Sequence, residues 1–329
     1  MLLDVFKSDA FNLTSLTKAI NDIPYAPTKI SRLGLFSAEP ITTTSVMVER
    51  QGDVLSLVPN APRGSRGAQK SVKGRNARTF HAMHLPQMVS LMADEVQNVR
   101  AFGSQSEEEL AMSRLTKKLA VAKRDTDITI EYQRIGAIKG QVLDADGVTV
   151  LADLFAEFGL TQQTLSMALS NSATKVLQKI VAAKRMVEDK LGGLMYTDIR
   201  VECSPEFMDA FTGHPVVQDA WRYYQSQMNA QDYRNDFRFG GVIWSEYRGQ
   251  VGSTRFIEAN AAYMIPVGIP DLFVTHFAPA PYMDTVNTEG LPYYAVQETK
   301  DFNVGVDVQT QSNPLHLNTR PDAIIKLTA

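Results

Sequence analysis

Between Ser106 and Gly136 apolar residues recur among charges at helical spacing. Met112, Leu115, Leu119 and Ala122 follow one another at steps of three and four, which puts them on one face of a helix. Ser106 and Glu109 have the form of a capping box, each side chain satisfying a backbone donor that the helix start leaves free. Glu107 and Glu108 add negative charge where the helix dipole is positive. Gly136 is the expected stop, so the helix should cover about 106–136 and run roughly 45 Å at about 1.5 Å per residue. Asp127-Ile128-Thr129-Ile130, rich in β-branched side chains, is the weak point where a bend or an early end would fall. One narrow apolar stripe suits a strut laid across a sheet, its other face open to water or a neighbour.

A second helix is expected over Asn171 to Leu191, with Val176, Ile180, Ala183, Val187 and Leu191 as its apolar face and Gly192-Gly193 ending it. Ser204-Pro205 and His214-Pro215 open two more, the latter reaching about Gln231. A short helix from Met92 to Gly103 precedes the long one. Strands are expected at Ile41–Arg50, Val54–Val58, Thr79–Leu85, Met195–Val201, Phe237–Tyr247, Thr254–Ile257, Ala262–Ile265, Phe273–Phe277, Tyr293–Glu298, Asn303–Gln311 and Ala323–Leu327. Ala137 to Val150 should make two short strands around Asp144-Ala145-Asp146-Gly147. That turn lacks the later ligands of a calcium loop and is expected to be a plain turn. At the start, Leu13 to Ile20 has the pattern of two helical turns, and Pro24, Pro27 and Pro40 should keep the rest extended. Leu13, Leu16, Ile20, Ile30, Leu33, Leu35 and Phe36 call for burial in this subunit or another.

Composition narrows the classes. The chain has 329 residues, 44% hydrophobic and 21% charged, as in an ordinary folded protein able to bury a core, and its net charge is −3. A single cysteine, Cys203, excludes an internal disulfide or a cysteine metal cluster; it fits a reducing compartment and is expected to be a small buried residue. The first residues lack the basic and then apolar build of a signal peptide, and no apolar run is long enough to span a membrane.

Charge is nevertheless concentrated in one place. Pro59 to Arg78 holds Arg63, Arg66, Lys70, Lys73, Arg75 and Arg78 without a carboxylate, at the tip of a glycine-rich two-stranded excursion. Phosphate binding is one reading, but no aromatic residue lies there to stack on bases. The spacing of Gly64 and Lys70-Ser71 suggests a P-loop, yet Gln69 stands where its glycine is needed and no apolar helix follows. Docking onto an acidic surface of a neighbouring protein, or a solvated loop, are the other readings. Glu107, Glu108 and Glu109 at the start of the long helix are the candidate acidic surface. No hydrolase, zincin or redox signature is present, His81 and His84 would point to opposite faces of a strand, and no catalytic, metal or cofactor site is expected.

An ordered set of stretches carries a resemblance: FNLTSLTKAINDIPYAPTKISRLGLF (Phe11 to Phe36), ITTTSVMVER (Ile41 to Arg50), LVPNAPRGS (Leu57 to Ser65), RIGAIKGQVLDADG (Arg134 to Gly147), VNTEGLPYY (Val286 to Tyr294) and QSNPLHLNTRPDAIIKL (Gln311 to Leu327). Together they resemble the lambda-type major capsid protein family of tailed bacteriophages and prophages. The resemblance implies an α+β Hong Kong 97-type capsid fold. Residues 1–40 would be its N-terminal arm, 41–86 its extended-loop hairpin, and 87–194 its peripheral domain with the spine helix. Residues 195–275 would be the axial domain, and 276–329 the return to the peripheral domain. It further implies a shell subunit that joins copies of itself as hexamers and pentamers around double-stranded DNA. The basic tip would contact a neighbouring subunit, and Trp221, Tyr223 and Tyr224 would be candidates for the axial interface. Scaffolding, portal and decoration proteins would be further partners, DNA would be contacted non-specifically, and assembly would take place in the host bacterial cytoplasm to give the virion. No lysine and asparagine pair matches a covalent crosslink. An encapsulin-like cargo shell and a basic-loop nucleic-acid-binding protein are the alternatives.

Overall fold

The computed structural model describes residues 11–24, 28–50, 76–96, 107–225 and 234–329. The chain forms two compact units, each drawn from separated stretches: 1–46, 81–134 and 274–317 make the first, and 47–80, 135–273 and 318–329 the second.

In the first unit an antiparallel sheet has Gly305–Ser312 in the middle, flanked by Tyr294–Thr299 and Leu85–Met92. The last of these was expected only to lead into a helix. Its signal is period two: Leu85, Gln87, Val89 and Leu91 turn inward while Pro86, Met88 and Met92 are exposed. Pro86 is tolerated because the strand lies at the sheet edge, where a missing ladder donor costs little. The helix begins only at Ala93 and is described as far as Val96; the rest of the expected stretch to Gly103 lies outside the described residues. Leu115, Leu119 and Ile130 of the long helix pack with Val306, Val308 and Ala295 of the sheet, so the predicted stripe is the seam of this core. A second sheet sets Ser37–Pro40 parallel to Phe273–Phe277, with Pro314–Asn318, a strand the sequence pattern did not single out, on the other side.

The arm is more ordered and more self-sufficient than its prolines suggested. Leu13–Asp22 is a helix capped by Asn12, whose side chain accepts from Ser15 N at 2.8 Å, and Lys29–Arg32 is a short helical turn. Phe11, Leu16, Ile20 and Ile30 are buried within this same chain.

The long helix, Glu107–Lys139, does not stop at Gly136 and is unbroken through Asp127–Ile130. The β-branched stretch is held by tertiary packing, and the Thr126 and Thr129 hydroxyls donate back to the carbonyls of Ala122 and Asp125. Gly136 serves close approach: a Cβ there would lie 2.9 Å from both Gln141 O and Val142 Cα. The helix ends at Gly140, whose φ of +85° suits a residue without a Cβ.

The second unit is built on a six-stranded mixed sheet in the order Gln163–Ser166, Ile325–Thr328, Ala261–Val267, Asp198–Cys203, Val242–Glu246, Phe237–Phe239. Ala261–Ile265 is buried without alternation, as for a strand covered on both faces. The helix Val176–Leu191 lays the five predicted apolar residues into this core. Phe211 stacks on Trp244 with centroids 4.0 Å apart, and Trp244 Nε1 donates to Phe239 O at 3.0 Å. Cys203 is buried in the same cluster. The expected strand Phe237–Tyr247 is in fact a hairpin. Gly240 and Gly241 turn it with φ of +64° and +72°, values that favour glycine pairs in tight hairpins. The strand expected from Met195 begins at Asp198 and runs to Cys203. The Asp144–Gly147 turn is a plain one: Asp146 accepts from Val148 N, Thr149 N and Thr149 Oγ1.

Candidate assembly surfaces

The base of the basic hairpin is described, and its tip is not. Ser45–Arg50 pairs with Asn76–His81, whereas Arg63, Arg66, Lys70, Lys73 and Arg75 and the expected strand Val54–Val58 lie outside the described residues. Arg78 donates from Nε to Glu157 O at 2.8 Å, at the carbonyl end of the short helix Leu154–Phe158, where a cation is favoured. Phe80 packs beside Phe158 with ring centroids 5.6 Å apart. These two contacts root the hairpin base on its own chain. The returning strand therefore runs over Asn76–His81, and His84 lies beyond it, bonded through Nδ1 to Asn313 Oδ1 at 2.8 Å.

The side chains of Glu107, Glu108 and Glu109 lie outside the described residues, as does Ser106. So do the side chains of Tyr223 and Tyr224, in the helix Pro215–Gln225, and residues 226–231, where that helix was expected to continue. Trp221 is half-buried, edge-on to Phe237 with centroids 5.1 Å apart, and lines a groove of about 520 Å³ with Asp209, Val217 and Arg222.

Beside its apolar stripe the long helix carries buried charge, while Val121, Arg124 and Asp125 on the opposite face are exposed as expected. Lys123 is 3% exposed, and its Nζ donates to the carbonyls of Ile20 at 3.0 Å and of Ile23, capping the end of the arm helix. The same ammonium lies 4.6 Å from the centre of the Tyr293 ring, and the Tyr293 hydroxyl donates to Asp127. Burial pulls the Lys123 pKa down, against the opposing pull of Asp127 and Asp22. Two turns further along, Glu131 accepts from Ile30 N at 2.8 Å, Thr28 Oγ1 at 2.7 Å and Ser31 Oγ at 3.2 Å. Arg134 then donates to Ser31 Oγ at 2.9 Å and lies over the Phe36 ring at 5.4 Å. Lys123 and Glu131, two turns apart, thus fasten the arm to the helix, while Asp127 between them holds Tyr293. Their sequence signal is charge repeating every four residues in a helix, a pattern that ordinarily marks a solvated face.

In the same unit, the turn between Tyr294–Thr299 and Gly305–Ser312 holds Phe302 at φ 59° and ψ 12°, and this phenylalanine is 95% exposed. Val304 and Met92 beside it, and Met88 on the same strand face, are exposed too.

His316 is buried on Pro314–Asn318, with Nδ1 3.0 Å from Thr275 Oγ1 and the Phe36 ring edge-on at 6.1 Å. Burial, reinforced by Arg134, holds its pKa well below the usual histidine value, and burial lowers His276 as well. An unfolded chain therefore takes up protons near pH 6.5 that the folded one refuses. Stability is complete above that value and is lost progressively as pH falls below it. The melting midpoint of the chain should drop between pH 7 and pH 5, and His316→Gln should flatten the slope. Equal slopes for the two proteins would contradict this account. Among the described residues no group of three or more His, Cys, Asp or Glu is placed to hold a metal ion, and no helix is long and apolar enough to cross a membrane.

The profile of the phage major capsid protein E family matches residues 12–329, spanning arm, hairpin base and both units. The chain belongs to that family. Its role is that of a structural subunit of a phage capsid. The chain is similar to the major capsid proteins of Salmonella phage Felix O1, 28% identical over 365 aligned positions with 100% of this chain and 99% of that one covered, and of Pseudomonas phage KPP10, 29% identical with 96% of each covered. In structure this capsid protein is similar to a prophage capsid protein of E. coli CFT073, with a TM-score of 0.60, 11% identity, and 96% and 98% of the two chains covered. The shared architecture is the Hong Kong 97-type fold, as the resemblance implied.

Proposed function

We propose that this chain is the repeating unit of a phage head, joining copies of itself into rings of six and five that close an icosahedral shell around double-stranded DNA. The observation that carries the reading is the family match from residue 12 to residue 329, which extends through both units. The first unit, with the arm and most of the long helix, would be the peripheral domain. The sheet and helices between 195 and 275 would form the axial domain that meets its copies around each ring. The chain acts as a building block and not as a catalyst. Scaffolding, portal and decoration proteins would meet its surfaces during assembly in the host cytoplasm, and DNA would be held without sequence preference. Expression of the chain alone, followed by electron microscopy, tests this: shells, tubes or rings are expected. A sedimentation profile with only monomer at every salt concentration would overturn it.

The basic tip would grip an acidic patch on a neighbouring copy, with Glu107, Glu108 and Glu109 the patch proposed. Six positive charges without a carboxylate between Pro59 and Arg78 support this reading. Reversing Arg63, Arg66 and Arg75 to Glu should leave the subunit folded but cut shell yield. Three exposed pairs at about 0.5 kcal/mol each amount to roughly tenfold per contact, and a shell repeats the contact many times. Normal numbers of empty shells from the triple variant, counted without DNA, would instead assign the tip to DNA.

A further inference from the structure

Seven non-glycine residues adopt positive φ among the described residues, and five are Asp or Asn, whose short polar side chains tolerate that region. Phe302 is the one aromatic among them, and it is 95% exposed. Neither the backbone nor burial within the chain accounts for a phenylalanine at this position, where glycine or asparagine would be more comfortable. The turn is also firmly held. Lys300 pairs with Asp307 at 2.9 Å, Lys300 N donates to Gly305 O at 3.0 Å, and Asn303 N donates to Lys300 O at 3.1 Å. Gly305 is wedged against the edge strand, where a Cβ would stand 2.5 Å from Leu91 O. A strained aromatic on a rigid mount, with exposed Val304 and Met92 beside it, has the build of a preorganised anchor.

The same unit carries a receptor of matching chemistry. Met83, Pro279, Pro281, Tyr282, Met283 and Val286 line a groove of about 620 Å³, and Met283 at its mouth is 92% exposed. A chain bearing both an apolar knob and an apolar groove can join its copies head to tail, the kind of contact that closes rings. We propose that Phe302 of one copy seats in this groove of a neighbouring copy in the assembled shell. The proposal rests on the shell reading above, because a second copy is the partner that every subunit meets, and only assembly covers a patch that is a liability on a free subunit.

A photoreactive benzoylphenylalanine placed at position 302 tests the seat directly. In assembled particles it should cross-link to a second copy, with the modified peptide drawn from residues 278–287 or 82–84. A cross-link to another protein such as a decoration protein, to a different part of the chain, or to nothing would overturn the proposal. Phe302→Gly is the companion variant. As a free subunit it should melt no lower than the unmodified chain, since glycine accepts the left-handed backbone, while its shell yield falls at least roughly tenfold, as for loss of an interface anchor. A lower melting point with normal shells would mean that Phe302 serves the turn alone. Unmodified chain run in parallel separates the two levels: if it builds shells and Phe302→Gly builds them equally well, only the anchor fails. If it builds none, the shell reading fails and takes the anchor with it.

Discussion

Gly290→Ala should markedly destabilise the folded subunit. The glycine N–H donates to Ile41 O at 2.9 Å, and its Cα is pressed against the end of Phe273–Phe277. An added Cβ would stand 1.9 Å from Phe277 O and 2.5 Å from Phe277 C. The obstruction is backbone and cannot swing aside as a side-chain tip would. Phe277 O is also the acceptor for Ile41 N, so relief by moving the strand breaks the join between the arm-side strand and its parallel partner. A loss of about 3 kcal/mol or more is expected, at the upper end for overpacking. Urea unfolding of the free subunit measures it, and a loss below about 1 kcal/mol would show that the loop can yield.

Glu131→Ala should release the arm. Three donors lose their shared acceptor, and one of them, Ile30 N, is a buried backbone amide with nothing to replace the carboxylate. Leaving buried donors unmet costs about 1–3 kcal/mol each, so about 3 kcal/mol in total is a moderate expectation once partial rehydration is allowed for. Limited proteolysis should then cut between residues 28 and 36 well before the sheet Tyr294–Thr299 and Gly305–Ser312 is attacked. Glu131→Gln, which keeps one acceptor oxygen, should fall between the two. Unchanged protease resistance in the alanine variant would mean that Lys123 and Arg134 suffice to hold the arm.

These two sites mark the boundary of what the sequence alone could disclose. The stripe Leu115, Leu119, Ala122 and the five-residue face from Val176 to Leu191 were legible because apolar periodicity is local and burial follows it. The buried charges of the long helix were not, since Lys123 and Glu131 look like a solvated face until partners about a hundred residues away are in place. Gly136 was ambiguous for a related reason: a glycine that ends a helix and one that admits another backbone look alike in sequence. The strand at Leu85–Met92 was obscured by Pro86, and the hairpin at Gly240-Gly241 by the shortness of its first arm, Phe237–Phe239. The family resemblance supplied the architecture that local patterns could not, because arm and strand pairings here join residues from distant parts of the chain.

One pairing sets a timetable for the subunit's manufacture. Ile325–Thr328 is not an edge of the six-stranded sheet: it lies between Gln163–Ser166, which it pairs in parallel, and Ala261–Val267, which it pairs antiparallel. Until those residues have cleared the ribosome, the strand at 163–166 has no neighbour and the core beneath it lacks Ile325 and Leu327. The second unit therefore closes only after translation of residue 328, and a nascent or truncated chain offers an open sheet in place of a finished surface. A chain that stops short of Ile325–Thr328 lacks the strand that joins Gln163–Ser166 to the rest of the sheet, so its second unit stays open.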